Sequence, residues 1–230
     1  MKRSQVLREK IELISYRLDA ATAAFWNHPR FAELYPESLV ATHWVVRASV
    51  PLMEAGLSRA QAMAASDEIS ADIADYLSRH IPEETGHDDW VLEDLEALGF
   101  SRPYVLSRTP SPTAAALVGA QYYWIHHFHP IALLGYIAVL EGSPPPIEKL
   151  EEVVKKSGLP RRAFSTLFRH ARLDPGHRND LDRAFDGMPL TSQHMAWMST
   201  SAIRTIDLLA RVVEEVVELH ELTPKIAERG

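Results

Sequence analysis

Apolar residues recur at three- and four-residue intervals along most of the chain, and no stretch alternates with the two-residue period of a half-buried strand. Val6, Ile11, Leu13, Ile14, Leu18 and Ala21 form one broad apolar face and predict a helix over 4–26, ended by Asn27-His28-Pro29. A second helix is expected from near Pro36, a residue suited to a first turn, to about Gly56, with a kink at Pro51. A third runs over 66–98, stops at Gly99 and bends at Pro82. A proline-rich loop over 102–112 leads into a helix over 113–141 that bends at His129-Pro130 and ends at Ser143-Pro144-Pro145-Pro146. Shorter helices are predicted over 147–156 and 161–172. Asp174-Pro175 reads as the cap and first turn of another helix, and the last covers 192–222. No interdomain linker and no fixed-period repeat interrupts this pattern. The expectation is one domain over 1–230, an all-α compact bundle of seven to nine helices.

Composition narrows the function. The 230 residues suffice for a sizeable core, and a net charge of −7 with dispersed acids and no basic stripe argues against nucleic acid as a partner. Cysteine is absent, which excludes disulfides, a thiolate zinc site and a thiol nucleophile. The charged start of the chain has no apolar targeting segment, and the longest apolar run, Ile131 to Leu140, is too short to span a bilayer. A cytoplasmic protein acting on a small molecule, with no membrane partner, is expected; a homodimer is compatible with the pattern.

Histidine, at 11 residues, is the chemical signal. In His80-Ile-Pro-Glu83-Glu84-Thr-Gly-His87, helical spacing makes Glu84 and His87 neighbours and puts His80 one turn beneath them. Glu-x-x-His is how one helix offers a carboxylate and an imidazole to a di-iron centre, although a solvated polar face also produces it. In His170-Ala-Arg-Leu-Asp174-Pro-Gly-His177, the three polar residues share a face if the backbone stays helical; the plainer alternative makes Asp174 only a helix cap. Glu141 closes the apolar run, either as an exposed helix end or as a buried charge that needs a partner. Together Glu84, His87, Glu141, His170, Asp174 and His177 are too many donors for a four-ligand structural zinc site. Nitrogen and oxygen donors without sulfur suit iron or manganese, here two ions sharing carboxylates.

The order Glu-x-x-His, then a Glu closing an apolar helix, then His-x-x-x-Asp-x-x-His resembles the haem-oxygenase-like di-iron oxidase superfamily, over most of the chain from about Pro36 onward. The resemblance implies that His87, Glu141, His170, Asp174 and His177 ligate two iron ions, with O2 as co-substrate. It leaves the remaining first-helix ligand to Glu84 or to His80, which stands where some members carry a carboxylate, and Glu84 is the preferred reading. Glu54 is the candidate for an extra carboxylate. TenA-type hydrolases share the fold but use a cysteine that this chain lacks. A single axial histidine for haem, at His28 or His43, would leave the six-residue set unexplained. A ferritin-like bundle would use two Glu-x-x-His motifs, where this chain has Asp174-x-x-His177.

The expected function is a non-haem di-iron oxidase or oxygenase acting on a small organic acid, amine or amino-acid-like substrate. Arg47, on an otherwise apolar helix one turn from His43, is the candidate carboxylate anchor, with His43 beside it; pairing with an internal acid is the alternative. Asp88 and Asp89 are candidate hydrogen-bond partners of the ligands. His126, His127 and His129 are set apart, because His126 lies about 22 Å from Glu141 along a straight helix, and Trp44, Trp90 and Trp197 read as core. The non-enzymatic alternative is a helical ligand- or partner-binding protein with a degenerate or mononuclear metal site.

Overall fold

The structure, a computed structural model, describes residues 1–142 and 145–222, with side chains through residue 218. The described residues form helices α1 (Arg3–Ile14), α2 (Tyr16–Trp26), α3 (Phe31–Val46), α4 (Ser49–Met63), α5 (Ser70–Glu84), α6 (His87–Ala97), α7 (Arg102–Ser107), α8 (Pro112–His127) and α9 (Ile131–Leu140). After these come α10 (Ile147–Ser157), a 3-10 turn (Arg161–Phe164), α11 (Ser165–Gly187) and α12 (Ser192–Leu222), with no strand among the described residues.

The fold is built around α9. Its residues from Ile131 through Ala138 are all buried, as expected for a helix that is apolar on every side. It lies against α12, which also touches α1, α2, α3 and α8. Gly135 permits the close approach, since a Cβ there would collide with the Met198 carbonyl. Two apolar cores form around this pair. One gathers Leu52, Ile73, Leu77, Leu133 and Met198 with Leu181 and Phe185 of α11. The other gathers Leu34, Tyr35, Val91, Leu95 and Val212 with Phe164 and Phe168. Each such side chain contributes roughly 1.5–3 kcal/mol on burial. Helix α11 is long enough to belong to both cores, and the α5–α6 junction passes from one to the other.

Segments that read as single helices divide at identifiable places. At Ser15, which separates α1 from α2, the hydroxyl donates to the Ile11 carbonyl at 2.7 Å and competes with the backbone ladder. The break between α3 and α4 falls at Arg47-Ala48, so that Pro51 sits in a first turn where its missing N–H costs nothing. The chain turns after α5 at Gly86, whose φ of 89° is left-handed, and Pro82 stays inside the helix. The proline-rich stretch folds into α7, capped by Ser101, and opens α8 at Pro112 behind a Ser111 cap that accepts the Ala114 N–H at 3.1 Å. Conversely, α11 continues through Asp174-Pro175, so Asp174 is not a cap. Ser143 and Pro144 of the predicted stop lie outside the described residues.

Candidate metal centre

The seam between the two cores is where the sequence-predicted donors meet. His80 and Glu84 come from the end of α5, His87 from the start of α6, Glu141 from the C-terminal cap of α9, and His170, Asp174 and His177 from one face of α11. Glu84 and His87 are therefore not on one continuous helix, as their spacing suggested. The Thr85-Gly86 turn brings them together instead, with Glu84 Oε2 3.1 Å from His87 Nδ1. Glu141 is buried, so the exposed-helix-end reading fails.

Glu84 faces two ways, its other oxygen lying 3.3 Å from His177 Nδ1. On one side the His87 and His170 rings meet edge-on with centroids 5.0 Å apart. The Nδ1–H of His170 donates to the Thr166 carbonyl at 2.9 Å, leaving Nε2 as the free donor atom. On the other side His80 Nε2 lies 2.6 Å from Glu141 Oε1, and the His80 and His177 rings are 5.1 Å apart and nearly perpendicular. One ligand atom each from His80, Glu141 and His177 lie within 4.8 Å of one another, close enough to share a cation. Glu84 and His80 thus both stand at the centre, although the sequence treated them as alternatives.

Glu83, which the sequence reading passed over, adds another carboxylate. Its Oε2 is 3.2 Å from His80 Nδ1 and 3.9 Å from His177 Nε2, and it is 47% exposed where the other donors are buried or nearly so. Its adjacency to Glu84 was the available signal, but only the turn at Gly86 leaves both side chains on the seam.

The polar atoms at this seam are poorly satisfied by the protein alone. Glu141 Oε2 and Asp174 Oδ1 are buried without a hydrogen bond, although buried polar atoms are nearly always paired, and His87 Nδ1 and His177 Nδ1 share the single Glu84 carboxylate. The charges are strained in the same sense. Burial, then the charges of Glu141 and Glu84, push the Asp174 carboxyl up to about 7. Burial would lower His80, but its hydrogen bond to Glu141 and the surrounding carboxylates hold it up at about 9. Burial lowers His170. Burial would raise Glu84, but His87, His80 and His177 bring it below its ordinary value. Crowded carboxylates, imidazoles with free nitrogens and orphaned buried oxygens fit a transition-metal cation, whose charge would satisfy all of them.

Supporting contacts fix the donors. Trp90, read as core, instead stacks on His87 at 3.9 Å, with the Arg169 guanidinium over the Trp90 ring at 4.7 Å. Asp94, fully buried on α6, accepts the Ser165 N–H and hydroxyl and the Thr166 N–H, tying α6 to the first turn of α11. The sequence signal for Asp94 was an acid among the apolar positions Val91, Leu92 and Leu95. Asp89 accepts from Arg102 at 2.7 Å on the surface and does not support the ligands.

Donors Glu84, Glu141, His170 and Asp174 also line a cavity of about 400 Å3 bounded by α2, α3, α4, α9, α11 and α12, within the usual range for small-molecule sites. Its remaining walls are mostly apolar, among them Phe25, Leu39, Val45, Leu133 and Val212. His43 and Arg47 are not part of this lining. His43 is buried where Arg47, Asp88 and Asp89 act on it, so this side of α3 faces α6 and the proposed substrate anchor is misplaced. Glu54 is exposed on α4. His126 and His127 are exposed, and His129 serves the α8–α9 hinge by accepting the Ile131 N–H at 3.1 Å.

Residues 45–209 match the family described as iron-containing redox enzyme, and the chain belongs to that family. Among solved structures it is similar to a domain of unknown function with a haem-oxygenase-like fold from Shewanella denitrificans, with a TM-score of 0.83 at 16% identity over 97% of this chain and 95% of that one. A CADD-like protein of unknown function from Nostoc punctiforme matches with a TM-score of 0.69 at 14% identity, covering 94% and 96% of the two chains. A TenA homologue from Pseudomonas syringae matches with a TM-score of 0.65 at 14% identity, covering 90% and 92%. At these identities the likeness establishes the haem-oxygenase-like fold and not an activity. No functionally curated protein matches the chain. Among the described residues, no helix is long and apolar enough to cross a membrane.

Proposed function

We propose that this protein is a non-haem di-iron enzyme that reduces dioxygen at the seam and oxidises an organic substrate held in the adjoining cavity. The observation that carries this reading is the convergence of His80, Glu84, His87, Glu141, His170, Asp174 and His177 around orphaned buried donor atoms at the wall of an apolar cavity. In this arrangement His87, His170 and Glu84 would hold one ion, His80, His177 and Glu141 the other, and Asp174 would complete the set. Glu84, with one oxygen beside His87 and the other beside His177, would contribute to both groups.

Bound ferrous iron would supply the electrons that dioxygen needs for reduction. The protein's own part is to hold and orient. The Thr166 carbonyl fixes the tautomer and rotation of His170. Asp94 keeps α6 in register with α11, so His87 and His170 stay opposed. Trp90 covers the outer face of His87. Apolar walls exclude water from the cavity side, which strengthens electrostatic interactions within the centre.

The test is iron content after anaerobic loading with Fe(II), followed by optical spectra on exposure to O2. The wild-type chain is expected to hold close to two irons and to develop an O2-dependent absorption. His170→Ala/His177→Ala should lose at least one iron and the spectral change; full loading of that double variant is incompatible with the proposal. A mononuclear site is the second reading, favoured by the tight grouping of His80, Glu141 and His177. It predicts one iron and no loss in His87→Ala.

A further inference from the structure

Lysine, arginine, aspartate and glutamate are absent from two stretches, 109–140 and 187–203, of a chain that is 24% charged. Burial explains this for α9. It does not explain α8, where Ala115, Ala116, Gly119, Tyr123, His126 and His127 are exposed. A helix that faces solvent ordinarily carries charges on its outer side. The two stretches also meet in space. Gln121 of α8 accepts the Ser201 hydroxyl of α12 at 3.1 Å, and the Phe128 ring meets Trp197 edge-on with centroids 4.8 Å apart. Helix α8 therefore runs antiparallel to the first half of α12, and the pair presents one uncharged face.

This face carries an aromatic ridge. Tyr123, 61% exposed, touches Trp124 and His127, and Trp124 touches Phe128, which is 41% exposed. Aromatic residues together with a lack of lysine and acids are the composition of interface cores. Gly119 points the same way. It lies inside α8, where glycine weakens a helix, yet a Cβ there would meet nothing within 4 Å in its own chain. Charges return at the edge, where Arg204 pairs with Asp207 at 2.7 Å, as in a polar rim.

Charge selects the occupant. An anionic lipid surface would call for basic residues around the apolar ones, and a charged partner would call for opposite charges; these two stretches supply neither. Two copies of a chain with net charge −7 repel each other, so they can meet most favourably through a face without fixed charge. In a two-fold contact each patch opposes itself, and an uncharged patch then opposes no like charge. Helix α8 is about 24 Å long and the pair about 20 Å wide, so the face covers roughly 500 Å2 in projection on each copy. The two copies together would bury about 1,000 Å2, the lower bound for a specific interface. We propose that this face, with Gly119 and Tyr123 near its middle, is the contact between two copies of the chain in a two-fold dimer.

The experiment is sedimentation velocity of the full chain from about 1 to 100 μM. The wild type is expected to reach twice the 25.9 kDa mass of one chain at the upper concentration. Ala116→Glu and Tyr123→Glu each bury an unpaired carboxylate at the contact and should weaken association at least about tenfold, with the far-ultraviolet helical signal unchanged. Leu13→Glu is the control. Leu13 is 80% exposed on α1, off this face and beside Lys10 and Glu12, and its variant should associate like the wild type. Hydrogen exchange of the wild type gives a reading free of variants, since the amides of 115–127 should be better protected at the upper concentration than at the lower. A wild type that stays monomeric throughout would overturn the proposal. So would a dimer indifferent to both glutamates on α8, or one dissolved by Leu13→Glu alone. Monomers that float with neutral phosphatidylcholine vesicles would assign the face to a lipid surface and overturn it equally.

Discussion

Asp174 shows most directly that the donor set is arranged for something other than the stability of the metal-free chain. It is buried, one oxygen has no partner, and its neighbours Glu141 and Glu84 repel its ionised form. A carboxyl raised from 3.8 to about 7 in the fold favours the native state fully below 3.8. That contribution falls away as pH rises to about 7 and leaves a penalty above it. Metal-free protein is therefore expected to be more stable near pH 5 than near pH 8 in respect of this group. Asp174→Asn should raise the melting temperature of the metal-free protein at pH 8 and lower its iron content, since the amide removes the repulsion and the charged ligand together. Thermal melts at the two pH values check this, and a wild type that gains stability between pH 5 and 8 more than the Asn variant does would contradict it. The choice between His80 and Glu84 is tested at the same scale. Both stand at the centre, so His80→Ala and Glu84→Ala should each lose iron; retention of two irons in either variant would remove that residue from the set.

At the scale of elements, the α5–α6 turn decides whether the donors converge. Gly86 takes a left-handed backbone that a side chain resists, with no neighbour close enough to clash with an added Cβ. Gly86→Ala is thus a conformational change without a packing change, and it should cost about 1 kcal/mol of stability. Because the turn aims His87 at Glu84, iron affinity should fall as well. Gly135→Ala provides the contrast: its Cβ would strike the Met198 carbonyl, so stability should fall by about 1–3 kcal/mol. Urea denaturation of both variants, alongside iron titration, separates the two effects. These turns also mark how far the sequence could be read. Helical periodicity identified nearly every helix, and the buried run of α9 was evident from Ile131 to Leu140. The breaks at Ser15, Arg47 and Gly86 were not legible, because prolines drew the expected kinks to Pro51 and Pro82, both of which the helices tolerate. Asp174-Pro175 looked like a helix start for the same reason. The donors on α11 were legible through their spacing. Glu83 and Asp94 were not, because one depends on a turn and the other on which helix packs opposite. Arg47 was misread because periodicity shows that a residue shares a helix with apolar neighbours and not which neighbouring element its side of the helix meets.

On the scale of the whole molecule, the two cores are closed without the seam. Leu52, Leu77 and Met198 on one side and Leu34, Leu95 and Phe164 on the other are buried within apolar clusters. Iron should therefore be dispensable for the fold while adding to its stability, unlike a small zinc domain that unfolds when stripped. Binding confined to the native state stabilises it by mass action, about 2.7 kcal/mol at a free ligand concentration one hundred times the Kd. Relief of the unpaired buried oxygens of Glu141 and Asp174 is the structural origin of that gain. Chelator treatment should accordingly leave the far-ultraviolet helical signal at 20 °C unchanged and lower the melting temperature by several degrees, at roughly 2–4 °C per kcal/mol for a chain of this size. Restoring Fe(II) without O2 should recover the difference. Loss of most helical signal on chelation would mean that the seam holds the two cores together, and that the metal belongs to the architecture as much as to the chemistry. An unchanged melting temperature would mean that the orphaned donors do not bind iron in the native protein.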